Sequence, residues 1–303
     1  MVRDPSTVAL TPNPLRGMAL VLFATFCGAS MQAITRGLAD ELHPFELVFF
    51  RFFFGFLVLA PVLLRRGLNP FSTRRPGLHV LRSVLQVVTL MLVFMGLSMT
   101  ELATVAALQF SAPLFSTVLA LVFLGEVVRA RRMTALGVGF AGMLVIVRPG
   151  FGAIEPGAVL ILISALLFAV IIILIKVMAR TETSLTMTLH LNLLTLPIAL
   201  VAMLPFWRMP SLDQWPWLVG LGITGSLSNL SFTQALKEAE LTAVLPFEFT
   251  KLIFSALIGY WVFAEIPDAW TWVGGAMIFL AVTYIAYRER GLRNIKTDRA
   301  DRG

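Results

Sequence analysis

Two charged residues three positions apart, Glu248 and Lys251, stand inside a long apolar stretch. A full charge near the middle of a bilayer costs about 3 kcal/mol on insertion scales unless it is paired or meets water. The spacing of three puts both side chains on one helix face. In one reading Glu248 contacts a substrate ammonium or takes a proton, while Lys251 contacts a carboxylate. In the other the two neutralise each other and pin their helix. At 1.5 Å per residue, Glu248 falls about 10 Å from the start of its helix, in the cytoplasmic half, with Lys251 nearer the middle. Helical spacing extends the face to Val244, Glu248, Lys251, Ser255 and Gly259. A matching face upstream reads Val105, Gln109, Ala112, Ser116 and Ala120. Small and polar stripes flanked by Leu, Phe and Val turn toward protein or a cavity.

Other polar residues fall within apolar runs. Arg51 either attracts an anionic group or bonds to carbonyls or to a carboxylate such as Glu46. Arg82 is close enough to the inner surface to snorkel. His190 is a proton relay or an interhelical hydrogen bonder. Gln32, Gln86, Asn192, Asn229 and Gln234 either join helices or together form a sparse, uncharged lining. Pro113 and Pro246 free backbone carbonyls and are the candidate hinges. The expected transport pathway is therefore Glu248, Lys251, Gln109, Ser255, Ser116, Gln86, Arg51, His190 and Asn229. With three histidines, a lone Cys27 and no paired carboxylates in the apolar runs, neither a metal set nor a catalytic cluster is expected. No phosphate-binding glycine loop is present, so ATP hydrolysis by this chain is not expected either. No cofactor is called for.

The elements that position these residues follow from the composition. The 303 residues are 58% hydrophobic and 14% charged, against about 25% charged in a soluble domain. Charges cluster between apolar runs long enough to cross a hydrocarbon core about 30 Å thick. The runs fall at 17–37, 44–64, 78–98, 101–124, 131–147, 156–178, 184–205, 214–236, 241–264 and 269–287. They lack the alternation of barrel strands, so the predicted fold is an all-α integral membrane protein of ten transmembrane helices. Of the 24 Lys and Arg, only Arg36, Arg148 and Arg208 fall on the outer side if the N-terminus is inside. That asymmetry places both termini in the cytoplasm, in a multi-pass inner-membrane protein. The net charge of +7 reflects this flanking pattern and anionic lipid contact rather than a nucleic-acid stripe. All six tryptophans sit near predicted outer helix ends, as interfacial tryptophans do.

An internal repeat appears at an offset of 139 residues. Glu101/Glu240, Leu102/Leu241, Val105/Val244, Phe110/Phe249, Phe115/Phe254, Ser116/Ser255 and Glu126/Glu265 are identical pairs. Each copy runs on into a glycine-bearing helix, with Gly137, Gly139 and Gly142 in one and Gly274 and Gly275 in the other. Five runs per copy is an odd number, so the second copy enters the membrane from the opposite side. The organisation is a tail at 1–16, a five-helix repeat at 17–148, a linker at 149–155, a second repeat at 156–288 and a basic tail at 289–303.

Residues 103–150 carry a central Pro113, a Gly125-Glu126 pair at the helix end and a following glycine-rich helix. With the arginine-bearing segment 51–61, they resemble the EamA-type members of the drug/metabolite transporter superfamily. The second repeat departs from the pattern, with Leu252 for the proline, Ala264 for the glycine, and Lys251 opposite Ala112. The resemblance implies a carrier of small organic metabolites, often amino acids moved outward, with a central cavity between the halves. The leading expectation is a secondary carrier working by alternating access, an exporter of amino acids or related amphipathic compounds. An importer or exchanger of a vitamin-like or nucleoside-like metabolite is the alternative, and a channel-like facilitator a further one. The expected partners are a small-molecule substrate and membrane lipid, in a monomer or weak dimer.

Overall fold

A computed structural model of the chain describes residues 14–66, 73, 75–112, 114–116, 118–119, 130–147, 155–179, 181–238, 247–248, 250–281 and 283–284. Among them the regular structure is helical. In a lipid core each backbone N–H and C=O must be satisfied within its own segment, which is what a helix does. The helices are α1 (Pro14–Leu38), α2 (Pro44–Arg66), α3 (Pro76–Leu97), α4 (Leu102–Gln109), α5 (Ala130–Val147), α6 (Pro156–Met178), α7 (Ser184–Met203), α8 (Trp215–Glu238), α9 (Thr250–Phe263) and α10 (Ala269–Ala281). Pro76 and Pro156 open α3 and α6, where the missing N–H costs nothing. Thr183 caps α7 by accepting from the Thr186 amide at 3.0 Å.

Five stretches are both long and apolar enough to cross a membrane: Leu15–Leu38, Pro44–Pro61, Pro76–Leu97, Pro156–Ile175 and Ser184–Phe206. Helix α8 has the length, at 24 residues, but Ser226, Ser228, Asn229, Ser231, Thr233 and Gln234 make its second half polar. The candidate hinges Pro113 and Pro246, the Gly125-Glu126 pair, residues 1–13 and the basic tail 289–303 lie outside the described residues, while 14–16 of the expected N-terminal tail belong to α1.

Helix packing is dominated by contacts between the two halves, and it comes in matched sets. Helix α1 lies mainly against α8 as α3 lies against α6; α2 packs on α8 as α7 packs on α3; α1 meets α9 as α6 meets α4. Each set maps onto itself when the halves are exchanged. The equivalent helices α4 and α9 also touch, with Leu102 beside Gly259 and Gln109 beside Lys251, so they run antiparallel. Helices α5 and α10 do the same, with Gly139 against Ala281 and Gly142 against Gly274. A Cβ on Gly142 would lie 2.7 Å from the Gly274 carbonyl oxygen, so only glycine lets these backbones touch. Phe52, Phe94, Leu97, Leu102, Leu108 and Ile161 fill the shared core. Phe23, Phe26, Val88, Ile163 and Val201 face outward, as lipid-facing side chains do.

One end of the bundle is tied by a helix cap. Ala264 follows α9 with φ 53°, the left-handed conformation that favours glycine, and the Glu265 amide donates back to Gly259 O at 3.0 Å. The left-handed residue ends the helix, and the bond back over six residues closes the turn that follows it. It swings the Glu265 carboxylate across the interface, where Oε2 accepts from the Leu102 amide at 3.0 Å. Oε1 meets Arg36 Nε at 3.3 Å, and Arg36 also donates to Leu97 O at 3.0 Å. Glu101 occupies the N-cap position of α4 without a side-chain cap, so a carboxylate from the other half caps that helix instead. At the opposite end Arg16 pairs with Glu238 at 3.3 Å, and Lys237 donates to Glu182 O at 2.9 Å.

Candidate functional site

Where the halves diverge they leave a cavity of about 190 Å³, lined from α1, α2, α3, α4, α6, α8, α9 and the residues next to α4 and α9. Its polar centre is a chain of three side chains from three helices. Lys251 Nζ on α9 donates to Gln109 Oε1 on α4 at 2.7 Å, and Gln32 Nε2 on α1 donates to the same oxygen at 2.9 Å. Glu248 lines the cavity one turn before Lys251. Among the described residues no ion pair closes between them; the ammonium is held by a neutral amide from the other half.

Two guanidiniums flank this chain. Arg51, buried on α2, donates to Asn192 Oδ1 at 3.2 Å and Gly225 O at 3.1 Å, and its charge lies 4.1 Å from the centre of the Phe52 ring. The carbonyl-bonding expectation fits this geometry. The Glu46 alternative does not, because Glu46 instead accepts from the His43 and Arg208 amides. Arg82 corrects the sequence reading outright. It does not snorkel but is 1% exposed, donating to Asn229 Oδ1 at 3.2 Å and directed at the Met187 carbonyl. Arg82 is one turn past His79 and packs against α7 and α8, so its stem points into the bundle instead of along a free surface.

Hydroxyls and rings complete the walls. Thr25 and Thr250 share a hydrogen bond at 2.9 Å, and Ser228 Oγ donates to Ala24 O at 2.8 Å. Phe168 on α6 and Phe232 on α8 stand with ring centres 6.4 Å apart. The cavity thus offers two cations, one carboxylate, several amides and an apolar aromatic wall.

Of the sequence-derived residues, the cavity gathers Glu248, Lys251, Gln109, Gln86, Arg51 and Asn229. Ser255, Ser116 and His190 are not part of its lining. Ser255 is fully buried one turn beyond Lys251, where α4 and α9 close on each other around Ala103, Ala106, Ala107, Leu252 and Ala256. Ser116 lies past the lined stretch of its helix. His190 lies against His79, with centroids 4.3 Å apart and the rings tilted by 33°, and its Nδ1 is 2.9 Å from Thr186 O. Thr25, Ser164, Ser228, Phe168 and Phe232 line the cavity without having been singled out. Short hydroxyls and aromatics are common on membrane helices, so no sequence signal separates these from packing residues.

A helical bundle with several membrane-length helices, two antiparallel halves and a polar cavity between them is the arrangement of a multi-pass transporter of small molecules. The chain belongs to the EamA-like transporter family, whose model matches residues 15–148 and again 155–287. It is 30% identical over 274 residues to an S-adenosylmethionine uptake transporter of Rickettsia bellii (strain RML369-C), covering 90% of this chain and 94% of that protein. A riboflavin transporter of Vibrio cholerae is 27% identical over 287 residues, covering 93% and 96% of the two chains. A pseudopaline exporter of Pseudomonas aeruginosa is 25% identical, covering 91% and 97%. Among solved structures, one chain superposes with a TM-score of 0.66 at 18% identity, covering 90% of this chain and 98% of that one, which shows a shared fold.

Proposed function

We propose that this chain is a secondary carrier of ten membrane-crossing helices with both termini in the cytoplasm. Its two halves, 17–148 and 156–288, rock about the central cavity so that it opens to each side of the inner membrane in turn. The observation that carries this is the position of the cavity: seven helices from both antiparallel halves line it, so any relative movement of the halves changes access to it. The relatives favour uptake of a nucleoside-like or vitamin-like metabolite, of the S-adenosylmethionine kind, over amino-acid export.

Proteoliposome flux tests the reading, with S-adenosylmethionine, riboflavin and amino acids offered with and without a pH gradient. Saturable uptake of S-adenosylmethionine is the expected result. Flux that rises linearly with concentration identifies a channel instead. Glu248→Gln and Lys251→Met, made singly, each lower the rate about tenfold, equivalent to about 1.4 kcal/mol. Full flux and stability in both single variants removes this face from the pathway.

A further inference from the structure

We infer that the cavity holds the anionic end of its substrate, a carboxylate or phosphate, between Lys251, Gln109 and Asn229. The inference rests on the carrier reading and names the substrate class. It comes from the direction of the hydrogen bonds. An ammonium and a guanidinium can only donate. The amide atom facing Lys251 must therefore be the oxygen of Gln109, and the one facing Arg82 must be the oxygen of Asn229. Both contacts fix which way the amides point, a choice that is otherwise ambiguous. Each oxygen also takes a second donor, Gln32 Nε2 at 2.9 Å for Gln109 and Thr233 Oγ1 at 3.4 Å for Asn229.

With both carbonyl oxygens occupied inside the protein, each amide has its NH2 left over for the cavity. Lys251 has two further N–H groups beyond the one used on Gln109. Against these donors the lining sets few acceptors: Glu248, its one carboxylate among the described residues, and Gln32 Oε1, which is buried without a donor. Arg51 adds a second cation. Such a site is matched by a group that is acceptor-only and negative, as an oxyanion is. An apolar or purely cationic ligand would leave those donors dry and unpaired, at a cost per group comparable to a lost hydrogen bond. Phe168 and Phe232 offer an apolar wall for the remainder of the molecule.

Matched probe pairs test this with the purified full chain: S-adenosylmethionine against its decarboxylated analogue, and adenosine monophosphate against adenosine. Binding is read as thermal stabilisation in detergent and transport as flux in proteoliposomes, for the wild type, Lys251→Gln and Lys251→Arg. The acidic member of at least one pair binds about tenfold more tightly, equivalent to about 1.4 kcal/mol, and the pair that discriminates identifies carboxylate or phosphate. Lys251→Gln, folded by circular dichroism, loses the discrimination, and Lys251→Arg keeps part of it. Equal binding of both members of both pairs overturns the inference, as does undiminished discrimination in Lys251→Gln, or no stabilisation of the wild type by any probe. Acid-selective stabilisation without flux keeps the anion site and defeats the carrier reading. Equal flux of acidic and neutral members does the reverse.

Discussion

Arg51 and Lys251 are both cations in the bundle interior, yet their surroundings assign them different tasks. Arg51 spends its fork on two fixed acceptors, Asn192 Oδ1 and Gly225 O, which belong to the other half of the molecule. Asn192 is itself held, its amide donating to Ser226 Oγ at 3.1 Å. The guanidinium thus acts as a rivet joining α2 to α7 and α8. Lys251 has only an amide acceptor and faces open space, so its charge is available to a ligand. Arg51→Met should leave Asn192 Oδ1 without its donor, at a cost of about 1–3 kcal/mol, while Gly225 O keeps only its bond within the helix. The expected outcome is a lower thermal unfolding midpoint in detergent, with Arg51→Lys restoring only part of it because an ammonium cannot span both acceptors. An unchanged midpoint in Arg51→Met would refute the rivet.

At the scale of the elements, the end of α9 does two jobs with two residues. The left-handed Ala264 stops the helix, and the Glu265 that follows caps α4 and pairs with Arg36. A Cβ in this conformation costs about 1–2 kcal/mol, which glycine avoids. The first repeat has Gly125 at the equivalent position, and the second carries Ala264 in its place. Ala264→Gly should raise the unfolding midpoint, with a gain of about 0.5–1 kcal/mol once the added freedom of the unfolded chain is subtracted. A loss of stability would show that the strain is relieved elsewhere. Ala103, Ala106 and Ala107 pack with Leu252 and Ala256, so α4 and α9 close on each other beside Ser255, whereas Gln109, Glu248 and Lys251 line the cavity.

At the scale of the whole molecule, the Arg36, Glu265 and Leu102 contacts clasp the halves at one end, beside the predicted outer surface. Under alternating access this clasp must open in each cycle. Cysteines at positions 36 and 265, in a Cys27→Ala background, allow a cleavable thiol crosslinker to hold the clasp shut. Flux should stop on crosslinking and return on cleavage, relative to the unlinked variant. Uninterrupted flux in the linked protein would mean that this end does not move.

Apolar run lengths and the 139-residue offset made the helical class and the two repeats legible in the sequence alone. A lipid core leaves a chain little choice but to satisfy its backbone within each segment, so the length and hydropathy of a run suffice to call it a helix. The same physics hides the site. A membrane helix is apolar all round, so its sequence gives little sign of which face meets lipid and which meets protein. Glu248, Lys251 and Gln109 were legible because charge and repeat spacing single them out. That Arg82 turns inward, that Arg51 bonds to residues 141 and 174 positions away, and that Ser255 is sealed off depended on packing between halves. Only tertiary structure decides those contacts, because each partner comes from the other repeat and nothing local to either residue encodes the meeting.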